Sequence, residues 1–360
     1  MQEYLPLLKE KRVALVVNQT SVIGKTALVD SLMALNINVK KIFAPEHGFR
    51  GTAEAGAKIA DTIDKKTGLP VISLYGNHTK PNSGDLADVD LVVYDIQDVG
   101  VRFFTYISTL HYVMEACAEN KKELIVLDRP NPNGFYVDGP VLEKPFISFV
   151  GMDAVPVVYG MTCGEYAEML NGEGWLKKGE TCKLHVIKVT GYTHKTQCVL
   201  TIAPSPNLAT MAAIYLYPSL GLFEGTNVSV GRGTSMPFEL IGKPGFLESD
   251  TEFTPHPIPG KAENPMYNGQ LCKGVHLTRF ANDFVKNSNQ IYLFWLCGLY
   301  KDETNKDKFF MPFFDKLAGT DVLRKQIQQG MSPDDIRKSW KPGLDAFKKI
   351  RAKYLLYEDF

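Results

Sequence analysis

Between Val13 and Leu127 five short strand-like runs recur, Val13 to Val17, Val39 to Ala44, Val71 to Leu74, Leu91 to Tyr94 and Leu124 to Leu127, and the first is apolar throughout, without the alternation of a half-exposed strand. Runs of this kind suit strands buried on both faces, which is the condition of a parallel sheet covered by helices. Leu28, Leu32 and Leu35 follow the first run at helical spacing, in a helix opened by Lys25-Thr26 and closed by Asn36. A long helix from Arg102 to Asn120 separates the last two runs. Right-handed crossovers would then place all five strands in parallel. Beyond Phe135 the chain is loop-rich up to Tyr159, Thr162-Cys163-Gly164-Glu165 opens a helix through Leu170, and Leu184 to Val189 alternates as an edge strand. The proline-braced turn Ala203-Pro204-Ser205-Pro206-Asn207 marks a domain boundary, with residues 1–205 before it and 206–360 after it. Pro255 to Gly260 is a surface connection, and the last part is helical, with starts at Thr320 and at Ser332-Pro333-Asp334-Asp335. Leu344, Phe347, Ile350 and Leu355-Leu356 read as a core-packing stripe. The fold class expected is α/β, a parallel sheet domain followed by a smaller α+β domain.

Composition removes several functions. Lys+Arg 40 balances Asp+Glu 40, so no global field would hold nucleic acid or an anionic membrane, and any anion recognition must be local. No apolar run reaches the ~20 residues of a membrane span, and Met1-Gln2-Glu3-Tyr4-Leu5-Pro6 shows no signal peptide. The six cysteines contain no zinc-ligand spacing and read as buried thiols, with a Cys182–Cys198 disulfide left open. After the first run the chain reads Asn18-Gln19-Thr20-Ser21-Val22-Ile23-Gly24, which lacks the glycine fingerprint a dinucleotide pyrophosphate needs, and no phosphate-binding P-loop sequence is present. No cofactor is expected. Serine nucleophiles lack an elbow motif, and Cys163 is only a lone nucleophile candidate.

Each apolar run delivers polar groups at its carboxyl end: Asn18 and Thr20; Glu46, His47 and Arg50; Tyr75, Asn77 and His78; Asp95, Gln97 and Asp98; Asp128, Arg129 and Asn131. Glycine and proline punctuate these ends, so they should converge where open α/β sheets place ligands. Glu46, flanked by Phe43, Pro45 and Phe49, is the candidate acid/base, since desolvation raises a carboxyl pKa and keeps a proton available for donation. Its ordinary reading is a surface glutamate paired with Arg50. Asp95 and Asp98 supply further carboxylates, with Asp98 and Arg102 at helical spacing. Two carboxylates suit glycosidic cleavage; with His47 they could equally hold a divalent cation. Later, Glu224-Gly225-Thr226-Asn227-Val228-Ser229-Val230-Gly231-Arg232-Gly233-Thr234 offers a close-approaching backbone and a guanidinium able to grip a carboxylate.

Glu46-His47-Gly48-Phe49-Arg50-Gly51, Asp95-Ile96-Gln97-Asp98-Val99-Gly100-Val101-Arg102-Phe103-Phe104-Thr105-Tyr106, Leu127 to Gly134, Pro204 to Asn207 and Glu224 to Phe238 resemble the exo-β-N-acetylmuramidase family over nearly the whole chain. The resemblance implies a Rossmann-like catalytic domain, an auxiliary domain contributing to the cleft, and removal of terminal N-acetylmuramic acid from the non-reducing end of peptidoglycan fragments. It also implies muropeptide or disaccharide substrates, a role in cell-wall turnover and recycling, and a periplasmic or secreted location. Glu46 takes the place of the family's cleft glutamate, with Asp98 or the sugar's N-acetyl group stabilising the oxocarbenium ion. Arg232, with Arg50 and Arg102 as rivals, would meet the lactyl carboxylate. His47, Asp95, Gln97, Tyr106, Asn131, Asn207, Glu224 and Asn227 complete the expected substrate-binding set, with no metal. A metal-dependent hydrolase using His47, Asp95 and Asp98, or a non-catalytic muropeptide-binding protein, are the alternatives, and oligomeric state stays open.

Overall fold

The apolar runs become the strands of one seven-stranded sheet: β1 (Val13–Val17), β2 (Val39–Ala44), β3 (Thr62–Ile63), β4 (Pro70–Ser73), β5 (Leu91–Asp95), β6 (Glu123–Leu127) and β7 (Lys183–Ile187). The computed structural model describes residues 1–46, 48–49, 62–246 and 249–360. Strand order is β7-β6-β5-β1-β2-β4-β3. All neighbours are parallel except β3, which lies antiparallel on β4. Leaving the short β3 aside, this is the doubly wound order, and its reversal point falls between β1 and β5.

The absence of alternation in these runs has a direct cause. Ala14, Val16, Phe43, Val92, Tyr94, Leu124 and Val126 face one core cluster, while Val13, Leu15, Val17, Ile42, Val93 and Ile125 face another on the opposite side. Each such buried side chain contributes roughly 1.5–3 kcal/mol. Helix α1 (Leu28–Ala34) covers the second face through Leu28, Val29 and Leu32, and Asn36 closes it in the left-handed region at φ 58°. Helices α2 (Tyr106–Glu119) and α3 (Cys163–Gly172) pack on the first face, and α3 opens with a Thr162/Glu165 capping box.

Helix α2 begins at Tyr106, not at Arg102 as expected. The residues before it are drawn into extended pairing: Val101 bridges Val158, and the Arg102 N–H donates to the Val157 carbonyl at 2.8 Å.

After the proline-braced turn come helix α4 (Met211–Leu220), a three-stranded antiparallel sheet of β8 (Leu240–Lys243), β9 (Thr251–Phe253) and β10 (Cys272–His276) with β10 central, and a helical region ending in α5 (Pro333–Arg351). The first-face core continues without a break into this part through Tyr217, Phe223, Phe309, Phe314, Ile336 and Phe347. Helix α5 stops at Arg351, so Leu355 and Leu356 lie outside it. The tail then turns back over the first part of the chain. Arg351 Nε and Nη2 donate to the Gly160 carbonyl at 2.9 and 2.7 Å, the Leu356 N–H to Glu165 Oε1 at 2.8 Å, and the Tyr357 hydroxyl to Asp128 Oδ2 at 2.6 Å. Among the described residues no helix is long and apolar enough to cross a membrane.

Candidate functional site

Parallel register sets the first pair of the site. Ala44 of β2 lies opposite Ser73 of β4, so the residues just beyond each strand, Glu46 and Tyr75, emerge side by side. A turn closed by the Gly48 N–H on the Pro45 carbonyl at 2.9 Å holds Glu46 at the sheet edge, with Gly48 at φ 77°. Glu46 is buried, 8% exposed. Thr105, the residue before α2, donates its hydroxyl to Glu46 Oε2 at 2.5 Å. Tyr75 stands beside it, and burial, then the Glu46 charge, push the phenol's pKa up.

The opposite wall comes from α4 and the glycine-flanked loop. Tyr217 stands edge-on to Phe103, Phe104 and Phe238 at ring distances of 5.2, 6.0 and 5.0 Å. Burial raises its pKa, and the charges of Glu224, Glu46 and Asp98 raise it further against Arg232, so this phenol lies where the ionisable groups of both walls meet. Arg232 donates from Nε to Glu224 Oε1 at 2.7 Å and lies over the Phe238 ring at 5.1 Å. Burial alone would lower its pKa; Glu224, Tyr217 and Glu46 reverse that. Among the described residues no hydrogen bond engages its Nη groups. The flanking glycines are required: Gly231 and Gly233 have φ of 77° and 82°, and a Cβ on Gly233 would lie 2.6 Å from Pro265 and 2.7 Å from the His256 carbonyl.

Other expected site residues are drawn into the scaffold. Arg102 is a correction: its guanidinium is fully buried and donates to the carbonyls of Pro140, Val155 and Leu317 at 2.9, 2.8 and 2.9 Å. It pairs neither with Asp98 nor with the cleft. Asp95 Oδ1 accepts from Arg129 Nε at 2.6 Å. Asp98 Oδ2 accepts from the Gly100 N–H at 2.6 Å and from the Tyr159 hydroxyl, and burial raises its pKa to about 6 against those bonds. Gln97 bonds the Asp98 and Pro130 carbonyls, Asn131 the Met161 carbonyl, Asn207 the Lys261 carbonyl and Asn227 Glu303 Oε2. Tyr106 stays with the site: its hydroxyl donates to the Pro204 carbonyl at 3.0 Å, and burial and then the Glu46 charge raise its pKa. His47 and Arg50 lie outside the described residues.

Among the described residues no group of three or more His, Cys, Asp or Glu side chains could hold a metal ion. Asp95 and Asp98 are committed to different partners, Arg129 and Tyr159. The cysteines are free, so the Cys182–Cys198 disulfide left open by the sequence is not formed. Cys163 is buried, which pushes its thiol pKa well up and removes the thiolate a nucleophile needs. Sequence reasoning placed Tyr75 at a strand end but left it and Thr105 without a role. Tyr217 carried no signal, since it sits in a helix of almost wholly apolar residues.

Fold and site define an α/β protein with a buried, hydroxyl-gripped carboxyl at the carboxyl edge of its sheet and an arginine on the facing wall. The chain belongs to the exo-β-N-acetylmuramidase NamZ family: the profile of the family's N-terminal part matches residues 13–212 and that of its C-terminal part residues 215–357. It is 39% identical over 379 aligned residues to the peptidoglycan β-N-acetylmuramidase NamZ of Bacillus subtilis (strain 168), covering 99% of this chain and 89% of that protein. Crystal structures of two DUF1343 family proteins from Bacteroides fragilis are similar throughout. One has a TM-score of 0.93 at 46% identity, covering 100% of this chain and 97% of that one. The other has a TM-score of 0.84 at 33% identity, covering 99% and 97%.

Proposed function

We propose that this protein is an exo-acting glycoside hydrolase that releases terminal N-acetylmuramic acid from the non-reducing end of peptidoglycan-derived disaccharides or muropeptides. The observation that carries the reading is Glu46, a buried carboxyl bonded by Thr105, beside Tyr75 and within electrostatic reach of Arg232, in a chain of this family. Residues 1–205 act as the catalytic, Rossmann-like unit, and residues 206–360 supply Tyr217 and Arg232 to the cleft. Our reading extends to work in cell-wall turnover and recycling, in the periplasm or outside the cell, supported by the peptidoglycan substrate of the Bacillus subtilis relative.

Glu46 protonates the glycosidic oxygen as the C1–O bond breaks. Arg232 receives the lactyl carboxylate that distinguishes muramic acid from glucosamine, through the Nη groups that Glu224 leaves open. Asp98 is buried against Tyr159 and Gly100, which favours the substrate's own N-acetyl oxygen over Asp98 as the group that stabilises the oxocarbenium ion. The test is hydrolysis of a muramic acid–glucosamine disaccharide followed by NMR of the product anomers. Wild type turns it over, and Glu46→Gln loses on the order of 10²–10⁴-fold in kcat. A Glu46→Gln rate near wild type overturns the assignment.

A further inference from the structure

Among the described residues four helices begin at a serine or threonine, and three of them use the hydroxyl in the ordinary way. Thr162, Thr210 and Ser332 each accept a bond from a backbone N–H of the first turn, from Glu165, Ala213 and Asp335 respectively. Thr105, before the 14-residue α2, already has helical backbone (φ −66°, ψ −5°), where the other three are extended, and makes no such bond. Its hydroxyl instead donates to Glu46 Oε2 at 2.5 Å. The Tyr75 phenol stands beside the same carboxyl, two residues beyond the end of β4, as the parallel pairing of Ala44 with Ser73 requires. The two hydroxyls come from different elements, one before a helix and one beyond a strand, so together they bracket the carboxyl.

We propose that Thr105 is a positioning residue for the acid, with Tyr75 as its partner; this rests on the reading of Glu46 as proton donor. When Glu46 gives its proton to the departing oxygen, the C1–O electron pair goes to that oxygen and Glu46 becomes a carboxylate. The Thr105 O–H is already oriented toward that charge, with Tyr75 beside it, and the two solvate it in place of water. The water that completes hydrolysis returns a proton to Glu46. The Thr105 hydroxyl, with no capping role in α2, thus organises the proton donor, and the N-terminal end of α2 adds its partial positive charge at the same point.

The test compares a muramic acid disaccharide, whose sugar leaving group needs protonation, with a nitrophenyl muramic acid glycoside, whose leaving group needs little. Thr105→Val is expected to lower kcat about 10- to 100-fold on the disaccharide, with KM within about 2-fold, and to have far less effect on the nitrophenyl glycoside. Thr105→Ser, which keeps the hydroxyl, should restore most of the rate. Tyr75→Phe removes the other hydroxyl without touching the helix start and should give the same leaving-group-dependent loss, so a poorly folded Thr105→Val does not end the test. Equal losses on both substrates, or a wild-type kcat for Thr105→Val and Tyr75→Phe while Glu46→Gln is inactive, would overturn the positioning role alone. A wild-type rate for Glu46→Gln would remove the underlying reading as well.

Discussion

Arg102 Nη2 lies 2.9 Å from the carbonyl oxygen of Leu317, 215 positions further along the chain. Leu317 is in the last turn of the Phe313–Ala318 helix, where carbonyls lack helical partners and carry partial negative charge. The fit is close enough that a Cβ on Gly319, at φ 76°, would lie 2.5 Å from the same nitrogen. Among the described residues no carboxylate pairs with this guanidinium, and burial lowers its pKa to about 9. Carbonyl dipoles hold the charge.

Arg102→Met therefore removes the guanidinium donor from the Pro140 and Leu317 carbonyls, and from Val155, which keeps the Leu142 N–H. At about 1–3 kcal/mol for each polar group left unsatisfied, the loss is a large share of a typical 5–15 kcal/mol stability. Denaturant unfolding should show a drop of roughly 3 kcal/mol or more, with KM of the folded fraction unchanged. A changed KM at wild-type stability would return Arg102 to the substrate site.

Arg232→Met should weaken binding of N-acetylmuramic acid about 10- to 100-fold, as expected for one charge-assisted bond of roughly 1.5–3 kcal/mol. Binding of N-acetylglucosamine, which lacks the lactyl carboxylate, should change little. Arg232→Lys keeps the charge but not the fork and should fall between. Calorimetry with the two sugars checks it: parallel losses for both would refute a carboxylate-specific role.

His111 is sandwiched between Asp153 and Glu115, its ring nitrogens 3.0 and 3.2 Å from their oxygens. Burial would lower its pKa, but the two carboxylates raise it to about 9. Since the folded value exceeds the unfolded one, protonated His111 contributes stability fully below about pH 6.5, and the contribution is lost as pH rises through about 9. His111→Gln should cost on the order of 1–3 kcal/mol at pH 6 and progressively less toward pH 10. Paired urea titrations across that range would reveal a flat difference if the ring were neutral.

Asp128 works with the opposite sign. Burial raises its pKa to about 6, although bonds from Tyr357, Thr162 and the Gly164 N–H oppose the shift. The native state then holds more protons than the unfolded chain between about pH 4 and 6, so this group's contribution falls as pH rises through that window. Asp128→Asn cannot ionise. Its stability relative to wild type should improve from pH 4 to pH 6.5 by on the order of 1–3 kcal/mol. A pH-independent difference would show that Asp128 titrates normally.

The sheet was legible because burial on both faces leaves a plain mark: Val13 to Val17 carry no polar residue, and they lie between two cores. The position of Glu46 was legible for a related reason, since a strand followed by Pro45 and Gly48 must turn at the sheet edge. What failed was the inference from polarity to the cleft. Asn131, Asn207, Asn227 and Arg102 have the side chains of a binding site, yet each is spent on a distant carbonyl or carboxylate of the scaffold. Local sequence does not contain those partners. Tyr217 failed the other way: its neighbours in α4 are apolar, and only the tertiary approach of Arg232 and Glu46 gives it a setting.

The returning tail has a consequence for how the chain matures. Asp128 and Glu165 sit in the first half, but the groups that bond them, the Tyr357 hydroxyl and the Leu356 N–H, lie 229 and 191 positions further along the chain. A nascent chain that had already laid down all strands of the sheet would still carry these two carboxylates without those partners. Domains generally fold in the order of their synthesis; here the first one reaches its full set of bonds only once the segment after Arg351 has been made. A chain cut before Leu356 would therefore hold both carboxylates short of a donor beside a finished sheet.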